Sequence, residues 1–162
     1  MKKREDRGIY VPLVKINMVR EKEIPYAAEE TNSPEKVAAF AKRILAGADR
    51  EYLLVISMDT ASKPTAVEIV SVGTINSALA EPREIFKHAI LANAYRIVIV
   101  HNHVSGRCVP SDNDIRITER MEKAGEILGI VLLDHVIIGS GYFSFREEGM
   151  LEPCTNCEEK IA

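Results

Sequence analysis

The sequence predicts an α/β (α+β) fold in which a mixed central β-sheet is flanked by helices. Three observations lead there. Short β-branched apolar runs such as Ile97-Val98-Ile99-Val100 read as strands. Apolar residues recur at helical spacing after Ser33-Pro34, from Pro82 and after Ser111. The spacers Asp59 to Pro64 and Gly139-Ser140-Gly141 are short enough to imply hairpins rather than crossovers.

Taken in order, residues 1–7 are charged and mixed in sign, as a solvated terminus is. Tyr10, Val11, Leu13, Val14, Ile16, Met18 and Val19 form a β-rich segment, and Pro12 points to an edge strand. Ser33 caps a first helix with Pro34 at its first position. Val37, Phe40, Ala41, Ile44 and Leu45 give its apolar face, and Gly47 its stop. Glu51 to Met58 and Ala66 to Val72 read as antiparallel strands. Pro82 to Ala92 is a second helix, with Ile85, Phe86, Ala89 and Ile90 facing inward. Tyr95 to Val100 is a strand buried on both faces. A third helix follows Ser111, with Ile115, Thr118, Met121, Ala124 and Leu128 as its stripe and Gly129 as its end. Ile130 to Ile138 and Tyr142 to Phe145 complete the strands. The resulting organisation is an extended segment over 1–32, one domain over 33–150 and a polar tail over 151–162.

The chain of 162 residues is 46% hydrophobic, enough for one core. Its net charge of -3 provides no general attraction to nucleic acid. Three Cys, an odd number, argue against a disulfide framework and for a reducing cytoplasm. No apolar run approaches the roughly 18 to 20 residues that span a bilayer, so no membrane role is expected.

The chemistry gathers at His101-Asn102-His103 and Ser111-Asp112-Asn113-Asp114. Two of the four His stand two apart at a strand end, so their imidazoles point to one face while Asn102 points away. Asp114, in the first turn of the next helix, supplies a carboxylate. Two His and one Asp with an open fourth position form the catalytic type of zinc site rather than the closed structural type. Against this stands the plain reading of a Ser-x-x-Asp cap beside ordinary polar His residues.

The pattern H-x-H-x7-S-x2-D resembles the signature of the JAMM (MPN-type) metalloproteases. Val72-Gly73-Thr74-Ile75-Asn76, Pro82-Arg83-Glu84-Ile85-Phe86, Ser105-Gly106, Pro110-Ser111, Leu133-Asp134-His135 and Ile137-Ile138-Gly139 are similar to its RadC-like branch. The sequence departs from that pattern at Val104, where the family has Pro. The resemblance implies a cytidine-deaminase-like JAMM/MPN architecture and a zinc-dependent metallopeptidase or isopeptidase with a peptide or protein substrate. It implies one zinc per chain, held by His101, His103 and Asp114, with Glu51 as general base and Ser111 as oxyanion stabiliser. Glu68 and Glu81 are the other candidates for the base. Among the remaining residues, His135 is a buried strand His or a partner of the site, His88 is structural, Cys108 lies in the metal loop, and Cys154 and Cys157, spaced like half of a zinc ribbon with no second pair, read as a reduced tail unless two chains share an ion.

The RadC-like branch also carries an association with DNA repair, and its longer members have a helix-hairpin-helix module. About thirty residues precede the first helix here, too few for that module, so no tight DNA binding is expected. The alternative function is a non-enzymatic, metal-stabilised interaction module of DNA repair or a mobile element.

Overall fold

The computed structural model describes residues 11–26, 33–73 and 81–151. In chain order the elements are α1 (Pro34–Ile44), β1 (Tyr52–Met58), β2 (Pro64–Val72), α2 (Pro82–Leu91), β3 (Arg96–Asn102), α3 (Asp112–Leu128), β4 (Val131–Ile138) and β5 (Tyr142–Ser144). They build one five-stranded sheet of order β2-β1-β3-β4-β5. Its pairs are antiparallel except β3 and β4, which run parallel and are joined through α3. This is the mixed sheet with flanking helices that the sequence predicts.

Strand alternation divides the core into two layers. Leu54, Ile56, Met58, Val98, Val100, Val136 and Ile138 face α1, whose Val37, Ala38, Phe40 and Ala41 are buried against them. On the opposite face, Leu53, Val55, Ile97, Ile99 and Ile137 meet Ile85, Phe86 and Ala89 of α2 and Ile117 and Met121 of α3. Ser33 caps α1 by accepting a hydrogen bond from Lys36 N at 3.3 Å.

One irregularity in β4 decides which side chains reach the second face. Ile97 pairs with Leu132, but the next residue, Val98, pairs with Asp134, so β4 carries one residue more than β3 at that point. Paired residues of parallel strands share a face. The extra residue therefore places His135 opposite Ile99 and on the face of His101; without it His135 would stand opposite Val100 and point toward α1.

Four expectations differ from the structure. Residues 11–26 pair with no strand, and Val11, Leu13, Val14, Ile16, Met18 and Val19 are exposed. The apolar alternation is present, but Pro12 lacks a donor and Lys15 and the charged run 20–23 oppose burial; Ile24 and Tyr26 alone reach the core beside α1. Gly47, with φ 82°, turns the chain two residues beyond the cap Leu45 instead of ending the helix itself. Ile90 lies at the edge of the α2 stripe set by Ile85, Phe86 and Ala89, and is exposed. The α3 stripe is rotated toward Asp114, Ile117 and Gly125, which leaves Leu128 at the surface. Among the described residues no helix is long and apolar enough to cross a membrane.

Gly125 is where α3 comes closest to the start of β4. A Cβ there would stand 2.4 Å from the Ile130 carbonyl oxygen and 3.4 Å from Phe86. The Gly125 carbonyl meanwhile accepts from Ile130 N at 2.9 Å, which closes the helix end. Gly125→Ala is expected to destabilise the fold by about 1 to 3 kcal/mol, the usual cost of overpacking. Urea unfolding of parent and variant measures it.

Candidate metal centre

The centre forms where β3 ends and α3 begins, at the carboxyl end of the parallel pair, the common place for sites in open α/β sheets. His101 is the last buried residue of β3. His103 follows the strand, held by its backbone N–H to Ile138 O at 2.9 Å, and its Nδ1 lies 2.9 Å from Arg107 O. A carbonyl only accepts, so Nδ1 donates and a neutral His103 presents a bare Nε2. The loop after it rests on the β4–β5 turn through Ser140 N to Gly106 O at 2.9 Å. Gly139 permits that approach, since a Cβ there would meet Gly106 O at 2.4 Å. Val104 is exposed in this loop.

Asp114 arrives through a capping box. Ser111 Oγ accepts from Asp114 N at 3.2 Å, while Asp114 Oδ2 accepts from Ser111 N and Ser111 Oγ, each at 2.7 Å. The cap thus pins the carboxylate, turning Oδ1 toward His101 Nε2 at 3.4 Å, with Oδ2 3.6 Å from His103 Nε2. The two Nε2 atoms are 2.9 Å apart. One ligand atom from each of His101, His103 and Asp114 falls within 4.8 Å of the others.

This donor set fits a divalent ion. Burial is the largest influence on His101 and pushes its pKa down to about 4, with Asp114 opposing and His103 adding to the shift. The ring is therefore neutral at pH 7. Imidazole nitrogens and a carboxylate oxygen brought together in a place that disfavours extra protons make a donor set suited to a cation, and two His with one Asp suit zinc.

A cleft of about 290 Å³ opens over this cluster, lined by Glu51, His103, Ser105, Ser111, Asn113 and Asp114. Glu51 is the glutamate among the described lining residues. Glu68 lies 2.8 Å from His88 Nδ1, and Glu81 pairs with Arg120 at 2.6 Å; neither lines the cleft. Cys108 is half-buried in the loop outside the ligand cluster. Cys154 and Cys157 lie outside the described residues. His135 is fully buried against His101, 2.8 Å from its Nδ1.

Two residues do more than their sequence positions announce. Asn102 does point away from the imidazoles, and there its Oδ1 accepts from Tyr52 N at 2.8 Å and its Nδ2 donates to Arg50 O at 2.9 Å. It therefore grips the backbone on both sides of Glu51 from the strand that carries the His pair. A carboxamide, donor and acceptor at once, was the available signal. Thr118 belongs to the helical stripe, yet its Oγ1 reaches both Asp114 O at 2.7 Å and His135 Nδ1 at 2.6 Å. A hydroxyl four residues after Asp114 was the corresponding sign.

A family model described as the RadC-like JAB domain matches residues 31–150. The chain belongs to the RadC-like JAB family. Its His101, His103 and Asp114 supply the JAMM-type metal-binding motif. Similar relatives of this RadC-like JAB chain include a UPF0758 protein of Rubrobacter xylanophilus, 46% identical over 120 residues, covering 74% of this chain and 53% of the relative. Another is a UPF0758 protein of Thermotoga maritima, 44% identical over 131 residues, covering 80% and 59%. A third, from Desulfitobacterium hafniense, is 42% identical over 128 residues, covering 78% and 56%. The chain spans about half the length of the curated relatives it matches.

Purified protein is expected to take up about one zinc per chain through three protein ligands. His101→Ala and His103→Ala should each lose tight binding in a chelator competition; unchanged affinity in both would remove the assignment. The metal-free protein should also respond to acid. The unfolded chain takes a proton at His101 near the ordinary 6.5, whereas the folded chain does so only near 4, so stability is present above 6.5 and is lost as pH falls through that window. The melting temperature should drop from about pH 7 to about pH 4.5, and His101→Gln should flatten part of that slope.

Proposed function

We propose that this RadC-like JAB domain is a zinc-dependent hydrolase, a metallopeptidase or isopeptidase that cleaves an amide in a peptide or protein conjugate. The observation that carries the reading is Glu51 in the same open cleft as His103, Asp114 and Ser111. A carboxylate beside a metal position, outside the ligand set, suits a general base. Held by His101, His103 and Asp114, the ion would supply Lewis acidity, bringing the pKa of a water down from its bulk value toward about 7 and polarising a carbonyl.

The protein's own groups do the rest. Glu51 takes a proton from the attacking water and returns it to the departing amine nitrogen, so the amide C–N bond breaks with the proton balanced. Asn102 keeps Glu51 in place through Arg50 O and Tyr52 N. Ser111 gives its hydroxyl hydrogen to Asp114 Oδ2, and stabilisation of an oxyanion by Ser111 requires that hydrogen to turn into the cleft. The breadth of the site favours a chain-like substrate. On the other side of His103 a second groove of about 330 Å³ runs between Lys42, Leu45, Gly106 and Gly139, and an extended peptide laid over His103 would occupy both.

Glu51→Gln tests the base directly. It keeps the shape and should retain zinc and thermal stability, while kcat on a cleaved peptide or isopeptide drops roughly 10²- to 10⁴-fold. The measurement pairs zinc content with hydrolysis across a varied library. A variant that cleaves as fast as the parent would show that Glu51 is not the base.

A further inference from the structure

Behind the ligands lies a chain of hydrogen bonds whose direction follows from elementary donor and acceptor counting. Thr118 Oγ1 is 2.7 Å from the carbonyl oxygen of Asp114 and 2.6 Å from His135 Nδ1. The carbonyl can only accept, so the one hydroxyl hydrogen goes there, as in the back-bond a helical Thr makes to the residue four before it. Thr118 Oγ1 must then accept from His135, which puts the His135 proton on Nδ1. A neutral imidazole protonated at Nδ1 has a bare Nε2. That Nε2 lies 2.8 Å from His101 Nδ1, so His101 in turn carries its proton on Nδ1. Its own Nε2 is left bare toward Asp114 Oδ1 and His103.

We infer that Thr118 and His135 are positioning residues that lock the proton of His101 on Nδ1 and so present its Nε2 lone pair at the metal position before any ion arrives. The inference rests on the metal reading of the site and deepens it. The chain of bonds runs from Asp114 O through Thr118 and His135 to His101, whose bare Nε2 faces the Asp114 carboxylate at 3.4 Å, so two ligands from different elements are tied through a third, β4. His135 is held for this task. Its ring stacks on Phe145 with centroids 4.9 Å apart and planes at 7°. Its backbone N–H donates to Asp134 Oδ1 at 2.7 Å. Metal-bound His commonly donates to a carboxylate, a backbone carbonyl or water. A buried neutral imidazole does the same job without adding a charge, and taking the proton from His101 would leave it a doubly protonated cation out of water, because its Nδ1 proton is already committed to Thr118.

Ring-nitrogen NMR on ¹⁵N-labelled protein, with and without zinc, reads the proton order, and chelator competition reads its effect on zinc affinity. Both His101 and His135 should be Nδ1–H in either state. Thr118→Val and His135→Leu should weaken zinc roughly 10- to 100-fold, the usual effect of losing such a partner. Thr118→Ser, which keeps the hydroxyl, and His135→Gln, which keeps a donor and an acceptor, should restore most of the affinity. An Nε2–H form of either His, or Thr118→Val holding zinc as tightly as Thr118→Ser, overturns the inference. Should His135→Leu fail to fold, the near-isosteric Thr118→Val carries the test. A parent that binds no zinc while both rings remain Nδ1–H would sink the metal reading and leave the proton order standing.

Discussion

Asp114 is a buried carboxylate set against two imidazoles, one of them entirely out of water. Burying such a group costs free energy unless hydrogen bonds or a counter-charge offset it. Much of the local architecture answers that requirement. The capping box supplies two hydrogen bonds to Oδ2, and the start of α3 adds the favourable end of a helix dipole. Its oxygens also face the two imidazole Nε2 atoms, and a cation held there would satisfy all three groups. The cap and the metal position are therefore one device, and the same Ser and Asp serve both.

Placing those three groups together is a question of parity. His101 faces the α2–α3 side because it continues the alternation of Ile97 and Ile99. The single extra residue of β4 brings His135 to the same side, beside Thr118 of α3. Asp134, directly before it, uses its carboxylate to gather Ser144 Oγ at 2.7 Å and Arg146 N at 3.0 Å, which holds Phe145 over the His135 ring. Burial pushes the Asp134 carboxyl up, against the hydrogen bonds that pull it down. That short polar anchor turns the end of the sheet into a wall behind the site.

How far this was legible in the sequence depends on the range of the interaction that decides each feature. The helix starts at Ser33-Pro34 and Ser111, the hairpins and the pairing of His101 with His103 arise from neighbours along the chain, and these were readable. Asp114 was readable because a capping box has a fixed spacing. The β4 bulge was not, since an extra residue in a strand is defined only by the strand beside it. For the same reason Asn102 could be assigned a direction but not its grip on Arg50 and Tyr52, fifty residues away. The segment 11–26 shows the opposite case. Its alternation is strand-like, but a strand also needs an open edge to pair with, and no local pattern reports one.

The burial of the groups separates two demands that the proposed hydrolysis would make of its residues. Ligands need fixed direction and a low dielectric; His101, Thr118 and His135 are buried behind the cleft, and the buried Asp114 lines it. In the proposed reading a base that exchanges a proton with water needs access, and Glu51 stands at the open side beside the exposed Ser111. His103 joins the two, with a side chain 15% exposed where that of His101 is 0%. Its Nδ1 is fixed by a loop carbonyl rather than by the core circuit. The loop from Val104 to Arg107 is thus a solvent-exposed part of the ligand scaffold, and its seat on Gly139 keeps that exposed ligand in register with the buried ones. Rigidity comes from the sheet and helix, while the side of the site where His103 meets water stays open.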